Sequence, residues 1–182
     1  MTIAITLGEV PFGSPRRLDP DRLGDHLDRL FRAAWAMCGN PHDGEDLVQE
    51  TYAKVLSRAR FVRHDDDFGY LLRALRNTHI SRLRRAGRRP QETELADDVP
   101  DVAYDVRRPE VAYEVGELFA VIAALPDDAR EAIVAVDVVG LSYREAADLL
   151  EVKEATITTR LFRARRRVAR ELEPTPVRKE AS

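Results

Sequence analysis

The chain has 182 residues, of which 44% are hydrophobic and 34% are charged, with a net charge of −3. This length suits one medium domain or two small ones, and the hydrophobic content excludes a wholly disordered chain. The single cysteine excludes an intramolecular disulfide and a multi-cysteine metal site. Since there is neither an apolar run near the roughly 18 residues of a membrane span nor a signal-peptide pattern, we expect a cytoplasmic protein without membrane insertion.

Helical periodicity dominates the first half of the chain. Residues 1–18 show no period, and we expect them to form a mobile tail. Apolar residues then recur on one helical face over 21–35, over 41–56 with Asn40 as the N-cap, and over 68–87. The residues predicted to face the core are Leu23, Leu27, Leu30, Phe31, Ala34 and Trp35, then Leu47, Val48, Thr51, Tyr52, Val55 and Leu56, then Phe68, Leu71, Leu72, Leu75, Ile80 and Leu83.

The charge changes sign after the third predicted helix. Residues 68–90 contain seven arginines and no acid, whereas residues 91–117 contain nine acids and two arginines. Prolines and the lack of a period indicate that the acidic stretch is a linker. We therefore expect domains at 19–90 and 115–173, a flexible acidic linker at 91–114 and a C-terminal tail at 174–182.

A second helical unit follows. An amphipathic helix is predicted from Val115 to Leu125, and residues 129–138 read as a buried helix, with a strand as the minority alternative because of the valines. Ser142 and Glu145 have the spacing of a capping box at the start of a short helix. A turn at 151–153 leads into a last helix. Because no strand is required, we predict an all-α fold of two small helical domains.

The last helix carries basic residues opposite its apolar face. A capped short helix, a turn and a basic helix are typical of a helix-turn-helix, which binds DNA in the major groove. An Arg-rich, solvated helix end would explain two or three arginines, but not six in eleven residues. On a helical projection Thr159, Phe162, Arg163 and Arg166 face the bases, while Arg160, Arg165, Arg167 and Arg170 flank them near phosphates.

The second and third predicted helices carry two different polar stripes. The third combines Tyr70 with Asn77 and several arginines, which together suit unstacked bases and their backbone. Phe68, at its start, is more simply explained as a core residue. The second presents Asp46, Gln49, Glu50 and Lys54, which by themselves would form an ordinary solvated face.

Three segments resemble the extracytoplasmic-function (ECF) group of bacterial RNA polymerase sigma factors. Residues 46–52, DLVQETY, resemble its region 2.2 signature, and residues 68–73, FGYLLR, with Asn77, resemble regions 2.3–2.4. Residues 140–143, GLSY, through 156–165, TITTRLFRAR, resemble region 4.2. The motif sets occur in the family's order and at its expected separation.

The resemblance implies an alternative sigma factor that needs no cofactor and is not an enzyme. It would bind core RNA polymerase, with Asp46, Gln49 and Glu50 on the β′ clamp helices and the second domain on the β flap, and its linker would run toward the RNA exit channel. An anti-sigma factor is a further expected partner. Residues implied at the promoter −10 element are Tyr70, Arg73, Asn77, Ser81, Arg82, Arg84 and Arg85, and those at the −35 element are Tyr143, Arg144, Thr158, Thr159, Arg160, Phe162, Arg163, Arg166 and Arg167.

The sequence departs from the family pattern at a few positions. Tyr70 stands where a Trp is usual, and Val136 stands near the place of a DNA-contacting Arg. The turn has Glu151, Lys153 and Ala155 instead of a Gly or Asp followed by Pro-x-Gly. Because a left-handed Glu costs about 1 kcal/mol, we expect the turn to be built differently.

Other functions remain as alternatives. Motifs of the common enzyme classes, such as a Gly-rich phosphate loop, HExxH or Gly-x-Ser-x-Gly, do not occur. Cys38 and His42 offer two metal ligands without a third, and residues 65–67, all Asp, suit helix capping better than a cation. The runner-up function is a stand-alone helix-turn-helix regulator that does not join the polymerase.

Overall fold

The computed structural model describes residues 16–17, 20–57, 61–62, 67–86 and 109–173. The predicted C-terminal tail, most of the predicted N-terminal tail and linker, and Asp65 and Asp66 lie outside these ranges. The first domain consists of a 3₁₀ helix at Pro20–His26, then α1 (Leu27–Cys38), α2 (Pro41–Leu56) and α3 (Asp67–Ala86). The second consists of α4 (Pro109–Ala123), α5 (Asp127–Ile133), a π-helical segment at Val134–Val138, α6 (Tyr143–Leu150) and α7 (Glu154–Leu172).

The all-α prediction is confirmed, and so is the helical alternative for residues 129–138. Two short strands add to the predicted elements: β1 (Arg16–Arg17) pairs antiparallel with β2 (Phe61–Val62). The first predicted helix begins as a 3₁₀ helix and becomes α-helical only at Leu27. Helix α4 begins at Pro109, before the predicted Val115, because proline disfavours the helix interior but suits its first position.

Two predicted helix starts are confirmed by their caps. The Asn40 side chain accepts a 2.8 Å hydrogen bond from the backbone N–H of Asp43. The Ser142 backbone N–H donates to Glu145 Oε2 at 2.7 Å, while the Glu145 N–H donates to Ser142 Oγ at 3.2 Å. These bonds satisfy backbone donors that have no partner within the helix, and so fix where α2 and α6 begin.

Helix α1 contacts both domains. It packs on α2 and α3 through one face and on the second domain through another, so one continuous apolar core spans both domains. The Trp35 and Phe119 rings meet edge to face with centroids 5.1 Å apart. At Gly39, which ends α1 with φ +86°, a Cβ would lie 2.9 Å from that of Ala123, so glycine permits this close approach.

Polar contacts also join the domains. Arg29 donates to the Val139 carbonyl at 2.7 Å. Arg76 Nη2 donates to Glu131 Oε2 at 2.9 Å, and its Nε lies 2.8 Å from Oε1. Hydrogen bonds and an ion pair thus connect the two domains in addition to the shared apolar core.

Three predicted core residues are exposed instead. Leu27 is 46% exposed, Leu56 55% and Leu83 45%. Each lies in the first or last turn of its helix, where the apolar stripe extends past the neighbouring helices. Periodicity identifies a helical face, but only packing shows how much of that face is covered.

The turn between α6 and α7 contradicts our expectation for Glu151. It has φ 56° and ψ 43°, so this glutamate adopts the left-handed conformation that ends α6. Its N–H bonds the Ala147 carbonyl, and its side chain is exposed. The turn therefore keeps the left-handed geometry without glycine.

Replacing Glu151 with glycine should stabilise the second domain. Glycine adopts this conformation without the steric cost of a Cβ, so we expect Glu151→Gly to raise the free energy of unfolding by about 1 kcal/mol. Urea denaturation of the full chain measures the change, with Glu151→Ala as the control that keeps the Cβ. A destabilised glycine variant would contradict this account of the turn.

Candidate nucleic-acid interface

The apolar face predicted for α7 is confirmed, and it fixes how this helix is oriented. Ile157, Leu161, Ala164 and Val168 are buried, and α7 packs against α5 and α6. The opposite face is open, with Phe162 67% exposed and Thr159, Arg163 and Arg166 also exposed. A large exposed aromatic between arginines suits thymine methyl groups and base edges.

The arginines of α7 fall into two sets. Arg165 donates to both carboxylate oxygens of Asp137, at 2.9 and 2.7 Å, and these bonds, followed by one with Tyr143, raise its pKa. The Arg160 Nε lies 3.6 Å from an Asp128 carboxylate oxygen, and its side chain is 24% exposed. Acids of α5 and of the π-helical segment thus hold these two arginines. The second set consists of Arg163, Arg166, Arg167 and Arg170, which are exposed, and Arg165 is also 50% exposed despite its pair with Asp137.

The remaining predicted −35 residues lie at helix starts. Tyr143 and Arg144 are exposed in the first turn of α6. Thr158 and Thr159 are exposed too, and their hydroxyls donate to carbonyls one turn earlier, at 3.2 and 3.0 Å. Their oxygens keep acceptor capacity toward a ligand. The structure brings both helices of the motif to one region, since α6 packs on α7.

The predicted −10 residues of α3 differ in accessibility. Arg73 and Asn77 are exposed, as are Arg84 and Arg85 near the end of the helix. Tyr70 is half-buried against the core. Ser81 is also half-buried, and its hydroxyl donates to the Asn77 carbonyl at 2.8 Å. The expectation that Phe68 is a core residue is confirmed: it is 5% exposed.

Arg73 has a second partner that sequence reasoning missed. Its Nη2 donates to the Asp148 carbonyl of α6 at 3.3 Å. One of the predicted −10 contacts is therefore engaged with the second domain in this arrangement.

The residues of the polar stripe of α2 differ in exposure and in ion-pair partners. Asp46 and Gln49 are exposed, whereas Glu50 is held by Lys54 and Arg82, each with a nitrogen 2.6 Å from a carboxylate oxygen. Burial opposes ionisation of Glu50, but hydrogen bonds from Lys54 and Arg82 hold its pKa below the ordinary value. The i,i+4 spacing could have revealed the pair with Lys54, while the contact with Arg82 has no signal in the sequence.

Cys38 does not pair with His42. The Cys38 Sγ lies 3.9 Å from Nδ1 of His79, a buried histidine on α3, whereas His42 is exposed. Burial, reinforced by the charge of Asp43, raises the pKa of the Cys38 thiol to about 12. Burial also lowers the pKa of His79, so both groups are neutral at pH 7.

We expect Cys38 to be chemically inert in the folded protein. Because the thiolate is the reactive form, a pKa raised from 9.0 to about 12 slows alkylation by about 1,000-fold at pH 8 relative to the unfolded chain. Iodoacetamide labelling followed by mass spectrometry measures the ratio. Cys38→Ser should leave promoter activity and its response to peroxide unchanged, and a peroxide response that disappears with the substitution would show a sensing thiol.

Within the described ranges, no helix combines the length and apolar character that a membrane crossing requires.

Two family models match the chain in the order of its domains. The model of Sigma-70 region 2 matches residues 23–89, and that of Sigma-70, region 4 matches residues 116–168, together more than half of the chain. These spans contain the predicted polar stripes of α2 and α3 and the helix-turn-helix.

The curated relatives that the chain matches include ECF RNA polymerase sigma factors. The chain is 35% identical over 147 residues to the ECF RNA polymerase sigma factor SigE of Mycolicibacterium smegmatis, covering 79% of this chain and 57% of that protein. It thus spans a little over half the length of SigE. It is 33% identical over 144 residues to the ECF RNA polymerase sigma-E factor of Haemophilus influenzae, covering 73% of this chain and 76% of that protein.

Solved structures with a similar fold include two complexes, one of them of a sigma factor with an anti-sigma factor. RpoE of Bartonella quintana, co-crystallised with the anti-sigma factor NepR, matches with a TM-score of 0.58 at 24% identity, covering 86% of this chain and all of that one. CnrH in complex with the cytosolic domain of CnrY matches with a TM-score of 0.59 at 22% identity, covering 84% and 85%. At these identities the likeness shows the fold. The two family models and the curated relatives show that the chain belongs to the sigma-70 family, in its ECF group.

Proposed function

We propose that this chain is an alternative sigma factor that binds core RNA polymerase and directs it to a specific set of promoters. A single observation carries the proposal: both sigma regions match in one chain, and each has a folded domain with an exposed polar face. The region 2 match disfavours a stand-alone helix-turn-helix regulator, which has no need of that domain. Initiation factors act through the polymerase, so we assign this chain no enzymatic activity of its own. Its proposed place of action is the cytoplasm, where the polymerase works.

Docking on core polymerase is proposed for the first domain. Asp46 and Gln49 project from α2 into solvent, where acid and amide groups suit basic and polar side chains of the β′ clamp helices. Glu50, the third predicted docking residue, belongs to the same stripe but is held by Lys54 and Arg82. The second domain, proposed as residues 115–173, would contact the β flap.

Promoter reading is proposed for both domains. The exposed face of α7, centred on Phe162 and Arg163, would enter the major groove of the −35 element, with flanking arginines on phosphates. Around the −10 element, a base must leave the stack before its pairing edge can be read, which costs a few kcal/mol. Asn77 offers an amide for that edge, and the arginines at the end of α3 offset the backbone charge. Arg73 could join them only by releasing its bond to the Asp148 carbonyl.

An anti-sigma factor is a proposed partner. One solved structure of similar fold is a sigma factor co-crystallised with the anti-sigma factor NepR, and another is CnrH in complex with the cytosolic domain of CnrY. The inhibitor would cover the polymerase-binding or promoter-binding face described above.

Charge reversal on α2 tests the docking proposal. We expect Asp46→Lys to weaken binding to core polymerase at least tenfold, because an exposed acid is replaced by a cation that repels the basic partner. Competition for core against the wild-type chain measures the affinity, and run-off transcription from duplex promoters tests activity. The matched control is Asp148→Lys, the same charge reversal at another exposed acid, on α6.

Two outcomes would decide against these assignments. If Asp46→Lys competes as well as the wild type, α2 does not dock on the polymerase. If the wild-type chain binds no core polymerase but still binds a palindromic DNA site, the regulator alternative is correct.

A further inference from the structure

An acid outside the predicted DNA-binding residues holds the arginine at one edge of α7. The carboxylate of Asp137, in the π-helical segment, accepts hydrogen bonds from Nε and Nη2 of Arg165 at 2.9 and 2.7 Å. Arg165 also bonds the side chain of Tyr143, in the first turn of α6. Two elements that precede α7 in the chain therefore fix this guanidinium, and its Nη1 group takes no part in the pair with Asp137.

The exposure of the pair argues against a mainly structural role. The side chain of Arg165 is 50% exposed and that of Asp137 is 33% exposed. Ion pairs that are open to solvent contribute little to the free energy of unfolding. A side chain that must bind a ligand in one geometry benefits from such a pair, because its rotamer freedom is lost before the ligand arrives.

The position of Arg165 on α7 indicates which ligand it suits. It lies on the flank of the helix, between the buried face with Leu161 and Val168 and the exposed face with Phe162. Side chains on the flank of a recognition helix reach the DNA backbone, whereas those on the exposed face reach base edges. The Nη1 group of Arg165 and the hydroxyl of Tyr143 are hydrogen-bond donors, and phosphate oxygens accept such bonds.

We propose that Asp137 is a positioning residue of the promoter interface, which holds Arg165 beside Tyr143 so that one phosphate of the −35 element binds where α6 meets α7. Arg165 and Tyr143 contact the phosphate, and Asp137 acts only through Arg165. A phosphate contact of fixed geometry sets the register of α7 in the major groove. This inference rests on the proposed function, because it requires the second domain to bind promoter DNA.

Two roles of Asp137 predict opposite effects of Asp137→Asn. An acid that only neutralised Arg165 would repel DNA, so its removal would strengthen binding to every sequence. An acid that positions Arg165 has the reverse effect at the promoter, because the released side chain must be ordered again on binding. Binding to other sequences needs only the charge of Arg165, which the substitution leaves in place.

Competition binding by the holoenzyme measures the effect. The probes are a promoter duplex that the wild-type holoenzyme selects from a random library and the same duplex with its −35 element scrambled. We expect Asp137→Asn to lower the affinity for the promoter about fivefold, the typical cost of ordering one long side chain, and to leave the affinity for the scrambled duplex within about twofold. In an Arg165→Gln background, Asp137→Asn should have no further effect, because the acid acts through that arginine.

Matched variants separate positioning from charge and from folding. Arg165→Lys keeps the positive charge but cannot form the two-point pair, so it should show the same promoter-specific loss with Asp137 intact. This variant decides the question if Asp137→Asn does not fold. Asp148→Asn removes the same charge from an exposed acid of α6 and should not lower the affinity for either duplex. Circular dichroism verifies that each free variant is folded.

Three results would overturn the proposal. One is an Asp137→Asn variant that binds the promoter at least as tightly as the wild type. Another is an equal loss on Asp137→Asn with and without Arg165, which would show that the acid acts by another route. The third is wild-type promoter affinity in Arg165→Lys. Failure of the proposed function is seen separately, in a wild-type chain that does not bind core polymerase or selects no promoter.

Discussion

Glu131→Ala is expected to lower the free energy of unfolding by about 2–3 kcal/mol. Glu131 pairs with Arg76 across the two domains, with side chains 12% and 27% exposed. Met37, Leu72 and Val134 line the same small cavity, so water replaces the lost carboxylate poorly. Removing one member of a buried pair typically costs about 3–5 kcal/mol, and the partial exposure of Arg76 reduces that value.

Urea denaturation of the full chain measures this loss, and a double substitution identifies its cause. If the cost comes from an unpaired buried charge, adding Arg76→Leu to Glu131→Leu should recover part of the stability lost in Glu131→Leu alone. Asp128→Asn is the matched control, because the pair of Asp128 with Arg160 is more exposed and should contribute less than about 1 kcal/mol. A Glu131→Ala variant as stable as the wild type would show that this pair does not hold the domains together.

Arg163→Ala is expected to remove about 1–3 kcal/mol of discrimination between the correct −35 element and one with a substituted base pair. The buried face of α7 directs Arg163 toward solvent beside Phe162, where a guanidinium can bond a guanine edge in the major groove. The loss corresponds to about 5- to 150-fold in relative affinity at a fixed salt concentration.

Arg167→Ala is the matched control on the same helix. We expect it to weaken binding to all sequences and to reduce the salt dependence, because a phosphate contact carries no base information. Competition binding by the holoenzyme, with promoters selected from a random library, measures both effects. If Arg167 changes specificity and Arg163 does not, the base-reading face of α7 lies about a third of a turn from the one proposed.

Local structure and family membership were both predictable from the sequence. The caps at Asn40 and Ser142 and the apolar face of α7 were predicted correctly, because each depends on residues within about one helical turn. The motifs at 46–52 and 140–165 led to the family for a similar reason, since their residue types and spacing are read directly along the chain.

Local rules were insufficient where packing or backbone strain decided. Leu56 and Leu83 have the right period for a core but lie beyond the cover of neighbouring helices. At Glu151 we expected local strain to change the turn, yet the structure keeps the left-handed residue. The packing of α6 and α7 against the rest of the second domain outweighs a local cost of about 1 kcal/mol.

Which charged groups meet depends on how the helices pack. Glu50 and Arg82 are 32 positions apart, and Arg76 and Glu131 are 55 apart. An acid and a base at such separations pair only if the helices that carry them pack in one orientation, and helical periodicity does not specify that orientation. For this reason the sequence identified the basic and acidic stripes, while the structure showed that Arg165 pairs with Asp137 and that Glu50 pairs with Arg82 and Arg85.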